Sequence, residues 1–583
     1  MKNLYTLKKY FAVYKVKLFW GFIFILLSNA GAVYVPLLLK NGINEIQKVT
    51  PSTSYLFRTG LMIAGASLFA GVFRFYIRQT IIVVSREIEY DLRFDFWKHI
   101  QLLPLRYFQN NSTGNIMAHA TNDISAVRNF IGPAVMYSID TCIRLIYCIW
   151  LMLSLNISLT IYSLIPLPIL SYAVYRVGKL IHEKFTLIQE KFSELTTKAQ
   201  ENYAGIRVVK SYVREDGEIS LFKILSRQYL DRNMDMIKIQ AMFMPLLFLI
   251  TGLSIIIVIW IGGIMIINKQ IGLGDVTALL MYLGMLIWPV IAFGWVVNII
   301  QQGEASMKRL NKIFAEPYEI SETKETDYKI KTVNGKIEFK NVSFRYGENL
   351  PYVLKDINLE IEQGQTIAIM GYTGAGKTSF INLIPRMYDV TEGEVLIDGV
   401  NIKKIPLETL RTNIGLVQQE SFLFSDTIQN NISYGRREID KERVLEVSRI
   451  ANFNKDVESF PKGFDTIMGE RGITLSGGQK QRASLARSLA IDPAILILDD
   501  SFSAVDTHTE EIILRNLKEF MKNRTSIIIS HRISTVKDAD VIIVLSEGLI
   551  AEKGTHEELI KVGGIYTDLY YKQLLEKELE ELS

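Results

Sequence analysis

Residues 367–379 read Ile-Ala-Ile-Met370-Gly371-Tyr372-Thr373-Gly374-Ala375-Gly376-Lys377-Thr378-Ser379. A β-branched apolar run ends at Met370 and gives way to glycines, a lysine and a hydroxyl, then to the apolar-patterned run Ser379 to Pro385. That order predicts a strand, a tight loop and a helix. Gly371 to Thr378 fits G-x-x-x-x-G-K-[ST], in which backbone N–H groups close around phosphate oxygens at a helix N-terminus. Lys377 would add a point charge and Thr378 a hydroxyl for Mg2+. Tyr372, Thr373, Gly374, Ala375, Gly376 and Ser379 complete the expected cradle. A glycine-rich turn without chemistry is the bland alternative, and the strand before and helix after weigh against it.

Downstream, Ile495-Leu-Ile-Leu-Asp499-Asp500 ends a continuous apolar strand in two carboxylates. Asp499 is expected to hold Mg2+ through water, and Asp500 stands where a base would orient an attacking water. Leu475-Ser476-Gly477-Gly478-Gln479, followed by the helix-patterned Lys480 to Ala490, is a second glycine-rich helix start able to bind an anion. Around these, β-rich runs at Lys336 to Phe344, Thr366 to Met370, Ile495 to Leu498, Ser526 to Ile529 and Val541 to Leu545 alternate with helical stretches. Such alternation predicts a mainly parallel α/β sheet.

Upstream the character is different. The chain has 583 residues, 49% hydrophobic and 22% charged, too long for one ordinary domain and too apolar for a disordered or disulfide-stapled one. Lys and Arg number 65 against 61 Asp and Glu, a net +4, so no basic surplus suggests a nucleic-acid partner. Cys142 and Cys148 sit in an apolar stretch and are read as buried thiols. Long uncharged runs, together with two runs interrupted by Arg74 and Arg78 and by Asp140 and Arg144, predict six spans near 18–39, 59–83, 129–153, 157–178, 243–267 and 276–301. The 145–175 run is expected to split near Asn156. Arg176 to Lys238 holds 21 charged residues, 12 of them basic, while the opposite loops are nearly bare, which orients the N-terminus, both long loops and everything after Gly303 toward the cytoplasm. A cleaved signal peptide is the rival reading of the start, but the apolar run continues to Leu39, past the usual length of about 7–15 residues. The expected organisation is a transmembrane domain at 1–315, a polar linker at 316–335 and a nucleotide-binding domain at 336–583.

The phosphate loop, the Leu-Ser-Gly-Gly-Gln pentapeptide and the acidic strand end, in this order behind six spans, resemble a half-size ABC exporter over essentially the whole chain. The resemblance implies an α-helical six-span domain followed by an α/β P-loop domain that binds ATP and Mg2+. It implies that Tyr346 stacks on adenine, that Gln419 is the Q-loop residue touching Mg2+ or water, that Ser503 to Asp506 form the D-loop, and that His531 is the switch histidine near the γ-phosphate. Gln418 departs from the family, which often has proline there. Members pair two nucleotide domains head to tail, each ATP lying between one chain's Walker A and the other chain's signature, so a second chain is required.

Asp500 stands where hydrolytic sites of the family carry glutamate. Its carboxylate is withdrawn by about 1.5 Å, and misplacement by about 1 Å can cost on the order of 100-fold in rate. The signature Ser476, Gly477, Gly478, Gln479 is intact. The combination resembles the degenerate-site subunit of bacterial heterodimeric multidrug ABC transporters, whose partner chain would carry the catalytic glutamate. The implied cargo is amphipathic drugs or lipids moved across the cell membrane. A homodimeric lipid flippase and an ATP-gated channel or regulatory subunit are the alternatives. The resemblance also implies coupling helices at Ser112 to Asn122 and about Arg207 to Asp216. Tyr34, Met136, Tyr137, Trp288, Phe293 and Trp295 are candidates to line an apolar cavity, although packing between helices is the plainer role. Asp140 and Arg144, i,i+4 inside a span, are expected to neutralise each other.

Overall fold

The computed structural model describes residues 2–436, 440–469 and 475–582. Two compact units are present: residues 1–101 with 113–316, and residues 102–112 with 317–583.

Among the described residues, the first unit contains six helices long and apolar enough to cross a membrane: Lys15–Ile46, Thr53–Gln101, Thr113–Leu155, Ile157–Ala204, Glu215–Ile267 and Leu273–Phe314. Each holds one expected span and runs well beyond it, because the charged flanking stretches continue the helix outside the apolar run. The expected split near Asn156 is a backbone break: Asn156 is extended, with φ −162, and its side chain accepts from the Leu159 N–H at 2.8 Å to cap the next helix. Val33, Met152, Leu159, Val258, Leu279 and Tyr282 form a buried core in this unit. The Tyr282 hydroxyl is satisfied there by donating to the Val33 carbonyl at 2.9 Å. Cys148 is buried as expected, but Cys142 is exposed. Six residues turn a helix through well over one revolution, so the two thiols face different surroundings. Tyr137 and Trp295 meet edge-on at 5.3 Å, a packing contact between helices, and Tyr34 is exposed. The Phe293 side chain lies outside the described ones.

The second unit is built on two sheets. Strands β1 (Ile337–Phe344), β2 (Leu354–Ile361), β4 (Glu392–Ile397) and β5 (Val400–Asn401) form an antiparallel sheet in the order β2-β1-β4-β5. Strands β3 (Thr366–Met370), β6 (Ile414–Val417), β7 (Ile495–Asp499), β8 (Thr525–Ile529), β9 (Val541–Ser546) and β10 (Leu549–Gly554) form the larger sheet, ordered β10-β9-β3-β8-β7-β6. All its pairs are parallel except β10 with β9. The Ile-Leu-Ile-Leu run of β7 and the three isoleucines of β8 suit strands buried on both faces. Because β8 lies between β3 and β7, with Ile529 opposite both Ile369 and Asp499, the chain leaves these three strands side by side at their C-terminal ends. In open α/β sheets that edge is where ligands bind.

Two boundaries differ from the expected ones. The stretch 316–335 is not wholly a free tether: Val333 is buried in the sheet core with Ile330 packed against it, and the Asp327 N–H donates to the Lys404 carbonyl at 2.8 Å. Its apolar side chains draw its second half into the domain. Residues 102–112 belong to the second unit although both neighbouring stretches belong to the first. They carry the short helix Leu105–Asn110, and Arg106 pairs with Glu319 at 3.5 Å. Of the expected coupling stretch Ser112 to Asn122, only Ser112 joins this unit; the docked residues lie immediately upstream. Pro104 before this helix and the extended Asn111 after it let a short segment leave the long helices. Arg207 to Asp216 lies in the first unit, running from the helix Ile206–Ser211 through a turn into Glu215–Ile267.

Candidate nucleotide site

The loop after β3 needs its glycines. Gly371, Gly374 and Gly376 have φ of +143, +86 and +99, and a Cβ on Gly371 would stand 2.2 Å from the Leu545 carbonyl oxygen. The helix begins at Lys377 and ends at Leu383, earlier at both ends than the apolar pattern indicated. Lys377 is buried, and its Nζ donates to the Gly371 and Tyr372 carbonyls at 2.8 and 3.1 Å. It has no ion pair among the described residues. Burial holds its pKa below the ordinary lysine value, partly opposed by the charges of Asp499 and Asp500. A buried cation folded back on two carbonyls, at a loop that excludes side chains, fits an anion such as a nucleotide phosphate.

Asp499 ends β7 and is buried; Thr378 donates to it at 3.0 Å. Burial raises the Asp499 pKa and the Asp500 charge adds to this, while the Thr378 hydrogen bond, Lys377 and His531 act against it. Thr378 and Asp499 are therefore the pair that would hold Mg2+, which supplies charge neutralisation on phosphate oxygens. Asp500 is half-buried in the left-handed region at φ +44. Its N–H donates to the Ile529 carbonyl at 2.9 Å, and its own carbonyl accepts from the Ser503 hydroxyl at 3.1 Å. Backbone bonds on both sides hold that carboxylate's root, so its reach depends on side-chain length.

The remaining expected residues are placed as follows. Tyr346 is half-buried, edge-on to Phe344 and Tyr388 at 4.9 and 5.2 Å, with its hydroxyl 2.7 Å from that of Ser379. Gln418 and Gln419 are exposed, and Gln419 makes no hydrogen bond among the described residues. His531 is exposed, and its carbonyl accepts from the Gln573 amide.

The signature helix Gly477–Ala490 starts differently. Ser476 accepts from the Gln479 N–H at 3.3 Å and donates its own N–H to the Gln479 side chain at 2.9 Å, a reciprocal cap. Asp456 accepts from Gln479 at 3.0 Å and from Arg482 at 2.8 Å. A Cβ on Gly478 would lie 2.9 Å from the Ala504 carbonyl oxygen. The buried Gln481 donates to the Ser503 hydroxyl at 3.0 Å and accepts from the Ala504 N–H at 3.1 Å. Gln481 thus fixes the Ser503 to Asp506 turn against the signature helix, a positioning role the sequence reading missed; its one signal is an amide on the buried face of a helix. Among the described residues no hydrogen bond joins the signature to the phosphate loop.

Comparison with known proteins agrees with this geometry. The family model "ABC transporter transmembrane region" matches residues 18–290 and "ABC transporter" matches 354–503. The chain is 36% identical to the "Uncharacterized ABC transporter ATP-binding protein YknU" of Bacillus subtilis, over 98% of this chain and 97% of the relative. It is 35% identical to the "Probable multidrug resistance ABC transporter ATP-binding/permease protein YheI" of the same organism, over 97% of each. It is also 35% identical to the "Multidrug resistance-like ATP-binding protein MdlA" of Escherichia coli, over 87% of this chain and 86% of the relative. Among solved structures, a bacterial Atm1-family ABC exporter with ATP bound matches with a TM-score of 0.80 and 25% identity, covering 96% of this chain and 99% of that one. A membrane region and a nucleotide-binding domain in one chain, matched over nearly its full length, make this a multi-pass membrane protein with a cytoplasmic ATP-binding domain, and the chain belongs to the ABC transporter family as a half-size exporter.

Proposed function

We propose that this chain is one half of an ATP-driven exporter of amphipathic compounds, paired with a different chain, and that its own Walker site hydrolyses ATP weakly. One observation carries the asymmetry: Asp500 stands at the acidic strand end with its backbone held by Ile529 and Ser503. Nothing in that arrangement makes up for the missing methylene. Lys377, Thr378 and Asp499 would still bind ATP with Mg2+, Tyr346 would stack on adenine, and Gln419 and His531 would report on the γ-phosphate. The intact Ser476 to Gln479 would close on the partner's nucleotide, where a glutamate would perform most of the hydrolysis. The names of relatives such as YheI and MdlA support multidrug cargo.

The test is purification of the full-length chain with any untagged chain that accompanies it, followed by nucleotide trapping at each site. A different chain should co-purify, and the Lys377 pocket should retain unhydrolysed ATP. Asp500→Glu should raise turnover in that pocket by on the order of 100-fold. A homodimer whose pockets turn over equally fast, unchanged by Asp500→Glu, overturns the proposal.

A further inference from the structure

We infer that the first unit carries, inside its membrane-spanning helices, a cavity that binds an amphiphile with an anionic head group, a phosphate or carboxylate on an apolar body. As a cargo site it rests on the export proposal above; as a binding site it stands by itself.

The observation is an imbalance of charge. Within the six expected spans the charged residues are Arg74, Arg78, Asp140, Arg144 and, at the end of the fourth, Arg176. The single carboxylate is already engaged. Arg144 donates to Asp140 at 3.1 Å and to Asn29 at 3.0 Å, and Asn29 donates to Asp140 at 2.8 Å, which closes a neutral triangle. Asp140 is therefore not a free counter-ion for a cationic guest.

Arg74 and Arg78 have no such relief. They stand one helical turn apart on one face, and neither has an ion pair among the described residues. Arg78 opens a widened π-type turn at Arg78–Ile82, a feature frequent at functional sites. A cavity of about 250 Å3 gathers both arginines, the Asp140–Arg144 pair, Tyr137 and Trp288. Its lining carries three guanidinium groups against one carboxylate, a surplus of two positive charges.

Like charges at i,i+4 repel, and a guanidinium at membrane depth is costly unless it faces water or an anion. Two unpaired forks at one cavity wall therefore favour an anionic guest, and planar guanidinium donors match phosphate and carboxylate oxygens in pairs. Trp288 and Tyr137 offer aromatic surface to the apolar part. The volume falls just under the range of about 300–1,000 Å3 typical of drug-sized pockets. It suits a head group and the first part of a chain, with the remainder lying along the helices.

The assembled transporter, purified in a neutral maltoside detergent, should be titrated calorimetrically without ATP with three probes: decyl phosphate, decyltrimethylammonium and inorganic phosphate. Decyl phosphate should bind at least about tenfold more tightly than either of the others, and the preference should weaken with salt. Arg74→Gln/Arg78→Gln should abolish the preference, and Arg74→Lys/Arg78→Lys should keep most of it. Unchanged nucleotide affinity in both variants would establish that they fold. Equal binding of the two decyl probes, a preference for the cation, or an anion preference that survives the glutamine variant overturns the inference. Inorganic phosphate binding as tightly as decyl phosphate would make this a free-anion site and overturn it as well. Because no step uses ATP, a failure of export would leave these outcomes readable.

Discussion

The nucleotide domain contains two glycine-rich helix starts, and they are built on opposite plans. At the phosphate loop the glycines serve backbone conformation: three have positive φ, and the first lies against a carbonyl of β9. The helix that follows has no side-chain cap, and a buried lysine turns back on the loop. At the signature the glycines serve approach, since Gly477 and Gly478 let the helix lie against Ala504. There Ser476 and Gln479 cap each other, which occupies the Ser476 and Gln479 N–H groups but not those of Gly477 and Gly478. One start holds a buried lysine of its own chain; the other is braced by its own cap and fastened to the D-loop turn, with its two glycine N–H groups left over by that cap. That difference fits a site whose second half must come from another chain.

The strongest way to break this comparison is to add one methyl group at each place. Gly371→Ala should destabilise the protein by about 2–5 kcal/mol, combining left-handed strain with a clash against backbone. Gly477→Ala, whose new Cβ would meet only the Ala504 methyl at 3.3 Å, should cost less than about 1 kcal/mol. Melting of the full chain distinguishes them, and equal losses would mean that the glycines play one role. The next effect is on affinity. Lys377→Ala should weaken ATP binding by the chain's own site roughly 10–100-fold, the worth of charge-assisted hydrogen bonds. Ser476→Ala should leave that affinity unchanged and cost only about 1 kcal/mol of stability as a lost cap. A fluorescent ATP analogue reads both variants.

The smallest expected effect lies in pH dependence. The Lys377 pKa is lowered, so as pH rises the lysine loses its charge, and the site its phosphate affinity, before the ordinary lysine range of about 10.4 is reached. The Asp499 pKa is raised, so as pH falls the carboxylate takes up a proton above the usual value of about 3.9. The Mg2+-dependent part of nucleotide affinity should therefore fade early on the acid side. Titrations of ATP affinity with and without Mg2+ separate the two limbs. An acid limb identical in both would remove Asp499 from the metal.

Much of this was legible along the chain. The phosphate loop, the acidic strand end and the signature are each contiguous, and the six spans are runs of apolar residues. Asn156 announced its helix break because an Asn cap acts on residues three positions away. The misses share one cause. Residues 102–112 join the nucleotide-domain unit, Gln481 holds the D-loop turn, and Cys142 faces outward from its helix; each depends on neighbours remote in sequence or on helix rotation.

The sequence by itself determined which chemistry the chain carries, because phosphate binding at a helix start and membrane crossing depend on short-range geometry and on apolar length. It also determined that the second carboxylate of the acidic strand end is an aspartate, Asp500. Only the tertiary structure decided that the first glycine of the phosphate loop lies against β9, that the signature is tied to the D-loop turn, and that Arg74 and Arg78 share a cavity with an ion pair already neutral. Those facts depend on distances between segments tens to hundreds of residues apart, which packing of the folded chain sets and local propensity does not.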